Sequence, residues 1–85
     1  MIEGLDVKTI EFELRQDFIA LDDLIKATGL ASSGGAAKAL IAGGQVRLDG
    51  EVELQKARKV YAGQLIETQG ARIRIHAPTR PAPFV

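Results

Sequence analysis

The spacing of apolar residues changes twice along this chain. These two changes limit the possible fold classes more than any other feature of the sequence. Between Lys8 and Leu14 polar and apolar residues alternate, which is the period of a half-buried strand. From Leu21 to about Ala42 the apolar residues recur at helical spacing, and from Val46 onward the alternation returns. A strand, then helices, then further strands predict an α+β domain.

The helical stretch divides into two short helices joined by a few residues. An apolar stripe that begins at Leu21 marks the first helix, and Gly29 should end it. Ser32 or Ser33 is placed to cap the second helix, which the glycine pair at 43–44 stops. Because so few residues separate them, the two helices are predicted to form an αα corner.

The second half of the chain is predicted to consist of strands. Asp49-Gly50 lies between two alternating stretches and is a strong signal for a tight β-hairpin. Residues 64–68 and 71–77 predict two further strands around Gln69-Gly70, whereas residues 55–61 show no regular period. The predicted fold class is therefore α+β: a small single domain with an αα corner packed on a small, mainly antiparallel sheet.

Length and composition exclude several classes of function. At 85 residues the chain is one domain, predicted over residues 1–77 with a flexible Pro-rich tail at 78–85. With no cysteine and one histidine, it offers no metal site, cofactor site or catalytic group. It shows no basic leader and no long apolar run, so we expect a cytoplasmic protein without a membrane partner. We expect a monomeric binding module, not an enzyme, with no small-molecule substrate.

Charge is distributed unevenly although the formal net charge is zero. Residues 1–25 hold seven acids and two bases, a balance of −5, and residues 26–85 hold nine bases and four acids, a balance of +5. Such a chain can present a basic face to a nucleic acid, but ordinary solvated surface charge gives the same count. Both interpretations stay open at this point.

The residues of the predicted corner, the hairpin and the strand after it resemble those of a known family. They are Leu21-Asp22, Gly29-Leu30-Ala31-Ser32-Ser33, Ala37-Lys38, Leu40-Ile41, Gly44-Gln45-Val46, Asp49-Gly50 and Ala62-Gly63-Gln64-Leu65-Ile66. In this order and spacing they resemble the S-four RNA-binding domain, the αL module named after a small-subunit ribosomal protein. The match covers residues 18–75 and is most similar to the short stand-alone bacterial members.

The resemblance implies a module without activity of its own that grips structured RNA, ribosomal RNA included, with its helix corner and neighbouring strands. Three positions depart from the general pattern: Gly34 replaces an arginine, Asp49 an asparagine and Gln64 an aspartate. The first and last departures are typical of the stand-alone members. The missing arginine removes one expected RNA contact, and Ala57 interrupts a segment that is often more basic in those members.

The candidate RNA contacts are a glycine-rich helix start and a set of cations. Two glycines in a first helical turn cost about 1 kcal/mol each relative to alanine, so they need an explanation. One explanation is that the glycines leave backbone N–H groups exposed for a phosphate. The other is that a tight corner between the helices requires glycine. Lys38 lies away from the apolar stripe and should point to solvent. The candidates are Lys26, Ser33, Gly34, Gly35, Lys38, Arg47, Lys56, Arg58 and Lys59, with Arg72 and Arg74 as weaker ones.

The other polar and aromatic residues carry no predicted chemistry. Asp22 and Asp23 are adjacent and complement the helix dipole instead of forming a catalytic pair. His76 is expected on a strand surface, and Arg72 and Arg74 would mainly protect an edge strand from pairing. One tyrosine and three phenylalanines are too few for a base-stacking platform, so recognition should depend on backbone shape. A protein-interaction adaptor on the same fold, with a decayed RNA face, remains the alternative function.

Overall fold

The computed structural model describes residues 8–78 of the chain, in nine short elements. In chain order these are β1 (Lys8–Glu13), β2 (Phe18–Ala20), α1 (Leu21–Ala27), α2 (Gly34–Ala42), β3 (Arg47–Leu48), β4 (Glu51–Val52), β5 (Lys59–Tyr61), β6 (Leu65–Thr68) and β7 (Ala71–His76). The α+β class is confirmed, with two helices and a mostly antiparallel sheet. Apart from its first residue, the predicted tail at 78–85 lies outside the described residues.

The larger sheet has five strands in the order β1-β7-β6-β3-β4. β7 pairs antiparallel with β6 and parallel with β1, so the first and last strands lie side by side. Because β1 covers its outer side, β7 is internal, and the prediction that Arg72 and Arg74 protect an edge strand is wrong. On the face turned to the helices, Ile66 and Ile73 are fully buried.

β2 and β5 form a separate two-stranded antiparallel sheet that the sequence analysis missed. Each strand has only three residues, which is too short for an alternating pattern to stand out. Val60 in the middle of β5 is fully buried, whereas the residues on either side of it are exposed. The small sheet therefore has one face on the core and one in solvent.

The predicted hairpin at Asp49-Gly50 is confirmed and connects β3 to β4. The φ angles of the two residues are +52° and +89°, the positive pair that a type I′ turn requires. The Asp49 carboxylate accepts hydrogen bonds from the Leu65 N–H at 2.9 Å and from Gln64 Nε2 at 3.2 Å. These two bonds fasten the turn to the start of β6.

The two helices form the predicted corner over one face of the larger sheet. Gly29, with a φ of +81°, follows α1 and turns the chain. Ser33 caps α2, because its side chain accepts a hydrogen bond from the Ala36 N–H at 3.1 Å. Leu24 of α1 and Ile41 of α2 are fully buried in the same core cluster as the sheet residues. Within the described residues, neither helix has the length and apolarity to cross a membrane.

Candidate nucleic-acid interface

Residues 56–59, which we call the basic segment, lie against the start of α1. This helix has no side-chain cap. Instead the carbonyl oxygen of Arg58 accepts a hydrogen bond from the Leu21 N–H at 2.9 Å, and that of Lys56 accepts one from the Asp22 N–H at 3.0 Å. The backbone of the basic segment is thereby fixed to the helix, while its charged side chains stay exposed.

Asp22 connects the two helices. Its side chain is only 11% exposed, and its Oδ2 lies 3.0 Å from the Lys38 ammonium nitrogen. Its Oδ1 accepts a hydrogen bond from the Asp23 N–H at 2.9 Å, as expected for an acid in a first helical turn. Lys38 is 51% exposed, as its position away from the apolar stripe predicts. What the sequence did not show is that α1 brings a carboxylate within its reach.

The first turn of α2 presents backbone N–H groups with no side chains around them. The Ser33 side chain satisfies the Ala36 N–H, whereas the N–H groups of Gly34 and Gly35 have no acceptor in the described part of the chain. Neither glycine has a positive φ, and a Cβ built on Gly34 would meet only Lys38 Nζ, at 3.8 Å. The backbone of the corner therefore does not require glycine at these two positions.

Three lysines lie on the segments around Asp22. Lys38 is ion-paired with it, and Lys56 touches the same residue through its carbonyl. Lys26 lies four residues further along α1, which places it on the Asp22 face of the helix. Lys26 and Lys56 form no ion pair with any residue between 8 and 78, so no paired carboxylate offsets their charge. We call Lys26, Gly34, Gly35, Lys38 and Lys56 the corner cluster.

The other two cations of the basic segment have partners of their own. Arg58 Nη1 lies 2.9 Å from Glu53 Oε1, and the arginine side chain remains 46% exposed. Lys59 Nζ lies 4.8 Å from the centre of the Phe18 ring, close enough for a cation–π contact. Both side chains can still reach a ligand, but a carboxylate offsets the charge of Arg58.

Arg47, Arg72 and Arg74 lie on a different surface. Leu48 is buried toward the helices, so its neighbour Arg47 projects from the opposite face of the sheet. The register places Glu67 between Arg47 and Arg72, and Arg72 Nε lies 3.7 Å from Glu67 Oε2. The candidate cations thus divide into two groups, one at the helix corner and one on this outer face of the sheet.

Glu11 on β1 compensates another part of the outer face. Its carboxylate accepts a hydrogen bond from His76 Nε2 and lies 3.9 Å from Arg74 Nε. The hydrogen bond from His76, with a smaller contribution from the charge of Arg74, holds the pKa of Glu11 below its ordinary value. Each outer-face arginine of β7 therefore has a carboxylate beside it.

Sequence reasoning missed two features of this region. One is the contact of Asp22 with α2, for which an acid in a first helical turn gives no signal. The other is the aromatic pair of Phe18 and Tyr61, whose ring centroids lie 5.9 Å apart across β2 and β5. Those strands pair two distant segments of three residues each, so no local pattern brings the rings together. Among residues 8–78 no group of three His, Cys, Asp or Glu side chains could hold a metal ion.

A helix corner on a small sheet, with cations and bare backbone N–H groups at the corner, defines a small S4-type domain. The comparison with known families agrees, because the model of the S4 domain matches residues 12–76. The chain therefore belongs to the S4 domain family, and the resemblance found in its sequence is confirmed.

Two curated relatives and one solved structure illustrate the similarity. The chain is 42% identical over 59 residues to "Putative RNA-binding protein YbcJ" of Escherichia coli (strain K12) and to "Uncharacterized protein YbcJ" of Shigella flexneri. Each alignment covers 69% of this chain and 84% of the relative. The solution structure of YbcJ from E. coli, described as revealing an αL motif involved in RNA binding, matches with a TM-score of 0.61 and 34% identity. That match covers 91% of this chain and 96% of the other.

Proposed function

We propose that this protein is an RNA-binding module that recognises structured RNA through phosphate contacts and catalyses no reaction. Membership of the S4 domain family supports the proposal, as do the RNA-binding name and motif of the E. coli relative. The observation that carries it is the position of the Lys38 ammonium group, which Asp22 holds beside the bare first turn of α2. That arrangement suits an RNA phosphate.

A phosphate at the start of α2 would meet three sources of positive charge. The free N–H groups of Gly34 and Gly35 lie at the helix N-terminus, where the dipole favours an anion. One N–H of the Lys38 ammonium group is directed to Asp22, and the other two can donate to the ligand. The remaining lysines of the corner cluster add unpaired charge, and the counterions that RNA releases on binding them would supply affinity.

The basic segment extends this surface along the backbone that caps α1. Arg58 and Lys59 are exposed there and would contact neighbouring phosphates. Arg47, Arg72 and Arg74 are weaker candidates, because they project from the other face of the sheet and a carboxylate lies beside each arginine of β7. We propose the corner cluster and the basic segment as the main RNA-binding surface.

The alternative function, an adaptor that binds a basic protein with its acidic N-terminal strand, has less support. Glu11 of that strand is already engaged by His76 and Arg74 of β7. A basic partner would have to displace these contacts.

The salt dependence of binding tests the proposal. Log affinity for a stem-loop RNA should fall with log salt at a slope of about −0.9 for each duplex phosphate contacted. Replacing Lys26 and Lys56 together by Gln should weaken binding and make the slope shallower by about two units, because two phosphate contacts are lost. Thermal unfolding should change little, since exposed charges contribute little to stability.

The double variant Arg72→Gln/Arg74→Gln is the matched control. It removes the same charge from the outer face and should leave the slope nearly unchanged. An equal loss in both double variants would mean that only overall charge matters, and it would overturn the assignment of the corner cluster. A wild-type protein that retains no RNA at low salt would overturn the function itself.

The particular ligand and state are a further part of the proposal. We propose ribosomal RNA as the bound RNA, because the family is named after a ribosomal protein, and a monomeric protein acting in the cytoplasm. Crosslinking in cells followed by sequencing should then enrich ribosomal RNA. Enrichment of other RNAs instead would contradict this assignment while leaving RNA binding intact.

A further inference from the structure

The small sheet of β2 and β5 carries an aromatic pair next to the basic segment. Phe18 and Tyr61 are directly opposite in the register, and their ring planes are inclined by 51° at a centroid distance of 5.9 Å. The Lys59 ammonium group lies 4.8 Å from the centre of the Phe18 ring. One cation and two aromatic rings thus lie together on these two short strands.

All three side chains lie on the solvent face of this sheet. Val60 is fully buried, so its neighbours Lys59 and Tyr61 project from the other side, and Phe18 shares their face because it is the cross-strand partner of Tyr61. Tyr61 is 47% exposed. Its ring contacts the Phe18 ring on one side and is open to solvent on the other, where a flat ligand can reach it.

The backbone that carries Tyr61 is fixed on its far side. The Tyr61 N–H donates a hydrogen bond to Gln64 Oε1 at 2.8 Å, and the Gln64 N–H donates one to the Tyr61 carbonyl at 3.2 Å. Gln64 in turn donates to the Asp49 carboxylate at 3.2 Å. The backbone that carries the ring is therefore held in place, which reduces the entropy lost when a flat ligand packs on the ring.

We propose that Tyr61, with Phe18 behind it and Lys59 beside it, stacks one unpaired nucleobase of the bound RNA. The inference rests on the proposed function, since the corner cluster and the basic segment would hold the adjacent phosphates. Every base has a π-face, so the site should accept any of the four bases. The positive charge of Lys59 suits the negative charge of the nucleotide. Two rings can stack one base but not a run of bases. This is consistent with the small number of aromatic residues, which is too low for a platform that stacks several bases.

Two stem-loop RNAs with equal phosphate counts test the proposal. The first has a loop of unpaired adenosines, and in the second every loop residue is abasic, so only the bases differ. The wild-type protein should bind the first RNA about fivefold or more tightly than the second. Tyr61→Leu should abolish that preference without changing the affinity for the abasic RNA, whereas Tyr61→Phe should keep it.

A second measurement needs no variant. Tyr61 is the only tyrosine of the chain, so its ring protons give one isolated set of NMR signals. The adenosine loop should shift these signals upfield through the ring current of the stacked base, and the abasic loop should not. Equal affinities together with unmoved tyrosine signals would overturn the stacking site while leaving RNA binding intact. Failure to bind either RNA would instead overturn the proposed function and, with it, this inference.

Discussion

Among single residues, Asp22 has the widest influence on the candidate site. A carboxylate that is 11% exposed is costly to desolvate alone, and the Lys38 ammonium offsets that cost. The pairing also restricts the rotamers of a long side chain before any ligand arrives. Lys38 is thus placed beside Gly34 in advance, and less entropy is lost on binding an anion there.

Replacing Gly34 by Ala should separate folding from binding. The residue has no positive φ and a Cβ would find only an ordinary contact with Lys38, so the variant should be more stable by up to about 1 kcal/mol. RNA affinity should fall, because the methyl group stands where a phosphate would approach the helix. Urea unfolding and RNA titration measure the two effects.

Gly29→Ala is the contrasting variant for this prediction. Gly29 has a φ of +81°, a conformation that alanine adopts at a cost, so the same change should destabilise the fold. A loss of stability in Gly34→Ala comparable to that in Gly29→Ala would show that the corner needs its glycine after all.

Among the elements, those with local signals are the ones the sequence predicts well. The cap at Ser33, the glycine after α1 and the Asp49-Gly50 turn each depend on a few neighbouring residues, and the structure contains all three. The lysines of the corner cluster were likewise named from the sequence. The exposure of Lys26 and Lys38 follows from their positions on the two helices.

Contacts between distant segments could not be predicted in this way. The partner of β1 and the pairing of β2 with β5 depend on the packing of the whole core, and no local sequence pattern records which strands will meet. The separation of Arg47 from Lys38 has the same origin, because it depends on which face of the sheet α2 packs against. The Phe18 and Tyr61 pair was missed for this reason too.

The contact between Glu11 of β1 and His76 of β7 predicts that the stability of the fold decreases at low pH. The folded-state pKa of Glu11 lies below the unfolded value, so its contact with His76 stabilises the fold above the ordinary pKa of a glutamate. That contribution is lost as the pH falls through the lowered pKa. Glu11→Gln should therefore lower the melting temperature at neutral pH, and the difference from wild type should shrink as the pH falls and disappear once the pH is below the lowered pKa of Glu11.

His76→Ala provides the control, because it removes the hydrogen bond that lowers the pKa of Glu11. In that background Glu11→Gln should have a much smaller effect at neutral pH. An effect of undiminished size would show that the two side chains act independently.

At the scale of the whole molecule, both helices and both sheets share one core. The buried cluster includes Leu24 of α1, Ile41 of α2, Val60 of the small sheet and Ile66 of the larger one. A domain of this size has only a narrow margin of stability, and no element has a separate core to rely on. The described domain should therefore unfold as one unit.

Two core substitutions, one in a helix and one in the larger sheet, test whether the domain unfolds as one unit. Leu24→Ala and Ile66→Ala should each cost about 2–5 kcal/mol, since both remove fully buried side chains. Circular dichroism and the fluorescence of Tyr61, the single tyrosine, should report the same urea midpoint in each variant. An earlier midpoint by fluorescence would mean that the small sheet opens separately.

The parallel pairing of β1 with β7 also orders events during synthesis. Lys8 pairs with Ala71 and Glu13 with His76, so the first strand has no partner until almost all of the described chain has left the ribosome. Until then β1 has no neighbour, and the edge of β6 that will pair with β7 keeps unpaired backbone N–H and C=O groups. The sheet is completed only after release of His76, and a nascent chain that stalls earlier presents unpaired strands to chaperones and proteases.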